Sequence, residues 1–271
     1  MPHNDSFRWL KPQLRARHRR AHVAGGLGPD IVLHESGAAS VEEGFSVPYL
    51  TEKNRMNDRK TRVAVFGSYY RGFYLLNELI HGSLSEHVTV VGVATDDPEA
   101  SFVSAARRVW QYPHQPYERR MVADLARERG LEPFVGKVNE QAFHQIFEDT
   151  WQPDLCVMGT FGQRIGKKLI EAPSLGFYNL HPCIDDAWPS KYLGGNPFEA
   201  LIRDGQRYSC VVFHGIDEGF DTGPFIARTG RIALPSQTTV TDMHKITSYA
   251  AAQLACREIG KIIQTNRRAY G

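Results

Sequence analysis

The chain has 271 residues, 42% of them hydrophobic, and its 32 lysines and arginines stand against 30 acids for a formal charge of +2. That composition supplies a sizeable core, and the charge balance gives no general pull toward nucleic acid or membrane. No apolar run approaches the roughly 18 residues of a membrane span, and the N-terminus lacks the apolar centre of a secretion signal, so a cytoplasmic protein is expected.

Residues 1–59 show little periodicity, and "GGLGP" and "HESGAAS" read as loop. Arg8, Lys11, Arg15, Arg17, Arg19 and Arg20 fall there with no acid among them, which fits a solvated basic extension, a nucleic-acid arm or a transit segment. Regular structure begins with the strand "RVAVFGS" (62–68), a turn, and a helix in which Phe73, Leu76 and Leu79 or Ile80 recur at helical spacing. "HVTVVGVATDDP" (87–98) predicts a second buried strand, and "ERRMVADLARERG" (118–130) a helix with Met121, Val122 and Leu125 on one face. "EPFVGKV" reads as a short strand, "NEQAFHQIFEDTW" as a helix burying Phe143, Ile146 and Phe147, and "PDLCVMGTFGQRI" (153–165) as a third apolar strand. Strands and helices alternating in this way predict an α/β fold: a Rossmann-like open, mostly parallel twisted sheet with helices on both faces.

The second half is denser in strands: "LGFYNLHP", then a helix at "NPFEALIRDG", then "YSCVVFHGI" and "PFIARTGRIAL". A final helix runs from about Thr239 to Gln264, opened by a capping box of Thr239 and Asp242 and striped by Met243, Ile246, Leu254, Ile259 and Ile262. One domain over 60–265 is expected, with the extension (1–59) before it and a short tail (266–271) after it. Cys156, Cys183, Cys210 and Cys256 have no zinc or redox spacing, so reduced thiols and no metal are expected.

Three places carry candidate chemistry. The first turn, "GSYYRG" (67–72), sits where open α/β sheets bind anions, yet Tyr69 and Tyr70 stand where a dinucleotide fingerprint needs small residues. It is either a tight turn capped by aromatic packing or a pocket wall, with Arg71 placed to pair an anionic group. In "GFYNLHPCIDDAWP" (176–189), Asn179 and His181 lie two apart and share one face at the end of a strand that Pro182 stops. Asp221 follows in the glycine-rich "GIDEGFDTGPF" (215–225). A carboxylate beside the histidine would orient the ring and favour the imidazolium, which with Asn179 can donate to an oxygen that turns negative when a carbonyl is attacked. Taken singly, each of the three also has a structural reading, as a strand-end histidine, a turn aspartate and a loop amide.

"NLHP" followed by "IDEGFDTG" resembles the paired signature of the folate-dependent formyltransferases, over residues 61–235. The resemblance implies the formyltransferase fold and 10-formyltetrahydrofolate as formyl donor, with a small-molecule amine as acceptor. It implies that Asn179 and His181 stabilise an oxyanion while Asp221 positions and charges the histidine. It also implies a pterin held by main chain at Phe161, Gly162, Gln163, Arg164 and Ile165 and at Ile216, Asp217, Glu218, Gly219 and Phe220.

Two departures bear on the acceptor. Relatives usually carry Ser-Leu-Leu-Pro after the histidine, where this chain has Cys183, Ile184, Asp185, Asp186, Ala187, Trp188 and Pro189. The two acids either hold an ammonium group or are solvated loop charges, and Cys183 either takes part or stands by. The first turn lacks the small polar phosphate cradle of the glycinamide ribonucleotide enzymes, and no tRNA-binding domain is expected after the last helix. A small specialised amine is therefore expected, an amino sugar or an amino acid such as N-hydroxyornithine, contacted by Tyr69, Tyr70, Arg71, Asp185, Asp186, Lys191 and Tyr192. No nucleic acid or membrane partner is expected, and a homodimer is allowed. The competing readings are a 10-formyltetrahydrofolate hydrolase, a non-catalytic folate or nucleotide-binding protein, and an RNA-associated module led by the basic extension.

Overall fold

The computed structural model describes residues 59–100, 109–184, 188–193 and 196–270. Its first strand, β1 (Thr61–Gly67), is buried on both faces: Val63 and Val65 enter one apolar cluster, Ala64 and Phe66 another. An uninterrupted apolar run is what a central parallel strand requires, because helices cover both sides. β2 (Val88–Ala94) and β3 (Leu155–Gly159) flank β1 in parallel, and β4 (Phe177–Cys183) adds parallel to β3. From there the sheet reverses: β5 (Tyr208–Gly215) is antiparallel to β4, and β6 (Phe225–Arg228) and β7 (Ile232–Ala233) are antiparallel to β5. The order is β2-β1-β3-β4-β5-β6, with β7 also on β5. This is the mostly parallel α/β sheet expected.

One face is covered by α1 (Tyr69–His81), α2 (Met121–Glu128) and α6 (Val240–Tyr270), which supply Leu75, Leu76, Leu79, Val122, Leu125, Leu254 and Ile259 to the first cluster. The other face is covered by α3 (Gln141–Gln145), the π turn that continues it (Ile146–Trp151) and α4 (Lys167–Glu171). A shorter helix, α5 (Pro197–Arg203), packs Phe198 and Leu201 with Met243 in a separate cluster. The turn from β1 to α1 depends on two glycines: a Cβ on Gly72 would lie 2.5 Å from the Gly67 carbonyl carbon, and one on Gly67 2.7 Å from Gly72 Cα. Only hydrogens there let the helix start against the strand end.

Several local expectations change. Residues 132–138 make no strand; Phe134 alone bridges to Ala94, because Pro133 next to it has no N–H to extend a ladder. The run 224–234 divides into β6 and β7 at Thr229, whose hydroxyl accepts the Val211 N–H at 3.0 Å in place of a backbone carbonyl. Ile146 is exposed, and the inward face is Phe143, Phe147 and Trp151, spaced along the widened π turn. In α6 the Thr239–Asp242 capping box forms as expected, with Thr239 N–H on Asp242 Oδ2 and Asp242 N–H on Thr239 Oγ1, both at 3.1 Å. Ile246, however, points outward; Thr247, Ser248, Ala251 and Ala255 face the core, since small residues let α6 lie close on α1, and the helix continues to Tyr270 rather than ending near Gln264. Among the described residues no helix is long and apolar enough to cross a membrane. The basic extension lies outside the described residues.

Candidate active site

β4 carries Asn179 and His181 on one face and runs on to Cys183 rather than stopping at Pro182, since past Asn179 it pairs with β5 alone and the missing proline N–H breaks no ladder to β3. Its antiparallel partner β5 sets His214 directly opposite Asn179. After β5 the chain turns through 216–224 and brings Asp221 back in the left-handed region, at φ 53°. Asp221 Oδ1 accepts from Asn179 Nδ2 at 3.1 Å and lies 3.2 Å from His181 Nδ1. The other ring nitrogen of His181, Nε2, donates to the Tyr192 carbonyl at 2.6 Å. Both ring nitrogens thus face acceptors, which fixes the orientation of the ring. Asn179 and His181 are 7% and 4% exposed, so the cluster is already desolvated before any ligand arrives.

His214 completes the group and was not anticipated from sequence. Its Nδ1 donates to the Gly215 carbonyl at 2.7 Å, which leaves Nε2 as the acceptor for Asn179 Nδ2 at 3.3 Å. Burial holds its pKa down to about 4, so the ring is neutral at physiological pH and Trp188 packs against it with ring centroids 4.6 Å apart. A neutral acceptor and a carboxylate together fix which way the Asn179 amide points.

These residues sit at a cavity of about 440 Å³, a size suited to a small ligand. One part of its wall is residues 161–165 with Ile216, Asp217, Gly219 and Phe220, which are nine of the ten residues expected at a pterin site. Glu218, the tenth, pairs with Lys167 at 3.3 Å instead, while its carbonyl accepts from Arg164. Asp96, at the end of β2, is a further residue missed from sequence: its Oδ2 accepts from Gly162 N–H at 2.7 Å and Ser68 Oγ at 2.9 Å, tying the loop after β3 to the first turn. Thr160 and Asp221, both on the cavity wall, have positive φ of 56° and 53°. Strained backbone of this kind concentrates at functional sites.

Of the expected acceptor residues, only Arg71 lines the cavity among those described. Tyr69 and Tyr70 direct their hydroxyls to Glu118, at 3.4 and 2.7 Å, and burial together with that carboxylate raises both phenol pKa values. Lys191 lies over the Tyr192 ring and beside Asp204, and Tyr192 reaches the site through its carbonyl rather than its ring. Asp185 and Asp186 lie outside the described residues. Cys183 is buried opposite Cys210 with the sulfurs 3.1 Å apart.

Residues 61–257 match the family model for formyl transferases. The chain belongs to the formyl transferase family. It is 27% identical over 144 residues to a methionyl-tRNA formyltransferase of Brucella ovis, covering 53% of this chain and 45% of that protein. To the Thermus thermophilus methionyl-tRNA formyltransferase it is 32% identical over 121 residues, 44% of this chain and 38% of that one. The chain thus spans less than half the length of these curated relatives. Among solved structures, a phosphoribosylglycinamide formyltransferase from Bacillus halodurans superposes with a TM-score of 0.56 at 20% identity, over 75% of this chain and 95% of that one. A formyltetrahydrofolate deformylase from Pseudomonas syringae does so with a TM-score of 0.56 at 15% identity, over 77% and 63%. These two similarities speak for the formyl transferase fold alone.

Proposed function

We propose that this formyl transferase moves a formyl group from 10-formyltetrahydrofolate to the amine of a small acceptor. The observation that carries the reading is the convergence of Asn179, His181 and Asp221 within hydrogen-bond reach at one cavity. The donor, when bound, supplies an electrophilic formyl carbon. Its pterin would lie on the wall made by 161–165 with Ile216, Asp217, Gly219 and Phe220, where Phe161 and Phe220 offer apolar faces.

Each residue of the cluster then has a task set by its hydrogen bonds. His181 Nε2–H, resting on the Tyr192 carbonyl, is the donor for which the formyl oxygen competes as negative charge develops on it. Asn179 adds a second donor; the longer of its two bonds, to His214, is the one a substrate oxygen can share. Asp221 keeps His181 oriented and, as the only carboxylate within 4 Å of the ring among the described residues, is the acceptor for the proton that the amine must lose.

The test follows 10-formyltetrahydrofolate consumption with amino sugars, nucleotide-linked amino sugars, ornithine, N-hydroxyornithine and glycinamide ribonucleotide, beside a control without amine. Turnover that requires one amine, with that amine recovered heavier by the mass of CO, supports the reading. Equal turnover without amine makes the protein a 10-formyltetrahydrofolate hydrolase; the Pseudomonas syringae structure is named a formyltetrahydrofolate deformylase.

A further inference from the structure

A second part of the cavity wall is formed by Arg71 of α1, Trp110 of the short 3-10 turn Val109–Gln111, and His244 of α6. Arg71 is 2% exposed, and its setting is built rather than incidental. Gly159 leaves room for its stem, since a Cβ there would lie 3.1 Å from Arg71 Cγ. The Phe198 ring faces its guanidinium at 5.8 Å, and Thr247 Oγ1 accepts from Nη2 at 3.0 Å. Yet Nε has no hydrogen-bond partner, and no carboxylate forms an ion pair with Arg71 among the described residues. Burial, unopposed by any neighbouring carboxylate, pulls its pKa down to about 10.

Two more buried nitrogens share this condition: among the described residues neither Trp110 Nε1–H nor His244 Nδ1 meets a hydrogen-bond partner. His244 stays neutral, because burial first and the Arg71 charge second push its pKa well below the ordinary value. Asp96, on the same cavity, accepts from Gly162 N–H and Ser68 Oγ through its Oδ2. A buried guanidinium without a counter-charge is costly to a fold, and a planar donor fork is suited to a carboxylate or phosphate. A group that no protein atom satisfies points to a ligand that does.

We propose that Arg71 and Trp110 form an oxyanion subsite, so that the acceptor amine carries a carboxylate or a phosphate which seats against Arg71 and accepts from Trp110 Nε1–H. The amine part of this statement rests on the formyl-transfer reading; the anion part does not.

Two measurements separate them. In the first, thermal stability of the wild-type protein and of Arg71→Met is followed against inorganic phosphate and against acetate. At least one anion should raise the wild-type Tm and leave the variant unmoved, and the variant without anion should melt no lower than the wild type. No shift of the wild type with either anion, or an equal shift of both proteins, overturns the subsite whatever the enzyme's activity. In the second, kcat/KM is compared for ornithine against putrescine and for glucosamine 6-phosphate against glucosamine. The charged member of one pair should be favoured about tenfold or more, and Arg71→Met should erase the preference. Preference within the first pair identifies a carboxylate, and within the second a phosphate. Turnover that treats both members of each pair alike overturns the proposal. Absence of turnover on every amine counts against formyl transfer alone, and the thermal shift then decides the subsite.

Discussion

The two ends of the cavity contrast in how their polar atoms are satisfied. Around Asp221, the amide of Asn179 and the rings of His181 and His214 all meet protein partners between 2.6 and 3.3 Å. Around Arg71, three buried nitrogens, on Arg71, Trp110 and His244, meet none among the described residues. On the proposed function, the difference separates two jobs. Groups that act on reacting atoms are held in place in advance, because reorganisation during the reaction would cost rate. Groups that only hold a substrate leave their bonding capacity open for it.

Breaking the first end should have the largest effect. Asp221→Asn removes the carboxylate from His181 Nδ1 and from the amine's proton, and kcat should fall by about 10²–10⁴ with the Tm little changed. Asn179→Ala should lower kcat by about 10²–10³, read in the same assay. A fall in Tm large enough to account for either loss would put these residues in a structural role.

The neutral state of His214 gives a prediction in pH. The unfolded chain protonates this histidine near pH 6.5, while the fold resists until about 4. Between those values the unfolded state binds more protons, so stability falls as pH drops, by on the order of 3 kcal/mol at most, and above pH 6.5 there is no contribution. His244, also held neutral, adds in the same direction. Urea melts at pH 7.5 and 4.5 should show a smaller acid loss in His214→Gln than in the wild type. Smaller again are two fold controls measured by the same melts. Gly72→Ala, whose Cβ meets Gly67 backbone at 2.5 Å, should cost about 1–3 kcal/mol. Thr239→Ala, which removes the capping box of α6, should cost ~1 kcal/mol.

What could be read in the sequence was what is local. Asn179 and His181 announce themselves by a two-residue period just before a proline, although β4 runs on through Pro182 to Cys183, and Asp221 by its glycine-rich turn directly after an apolar strand. The sheet was legible for the same reason: β1, β2 and β3 are apolar runs bounded by glycine or polar residues. His214 was hidden because a histidine inside an apolar strand gives no sign of which residue faces it; only the β4–β5 register does so. Trp110 and His244 were hidden by distance, coming from a 3-10 turn and a helix far apart in the chain. Asp96 had a usable signal, a carboxylate at the carboxyl end of a strand beside the first turn, where open sheets bind their ligands. The errors at Ile146 and Ile246 share a cause: apolar spacing was read as burial, whereas a π turn and a close helix contact made of alanine, serine and threonine set the inward faces.

The most direct test of the central claim is a single-turnover measurement of formylated amine, with wild-type protein and Asp221→Asn at saturating 10-formyltetrahydrofolate. Product that requires the amine is expected in the wild type, with a rate lower by about 10² or more in a variant that remains folded. Product formed at the wild-type rate by Asp221→Asn would contradict it.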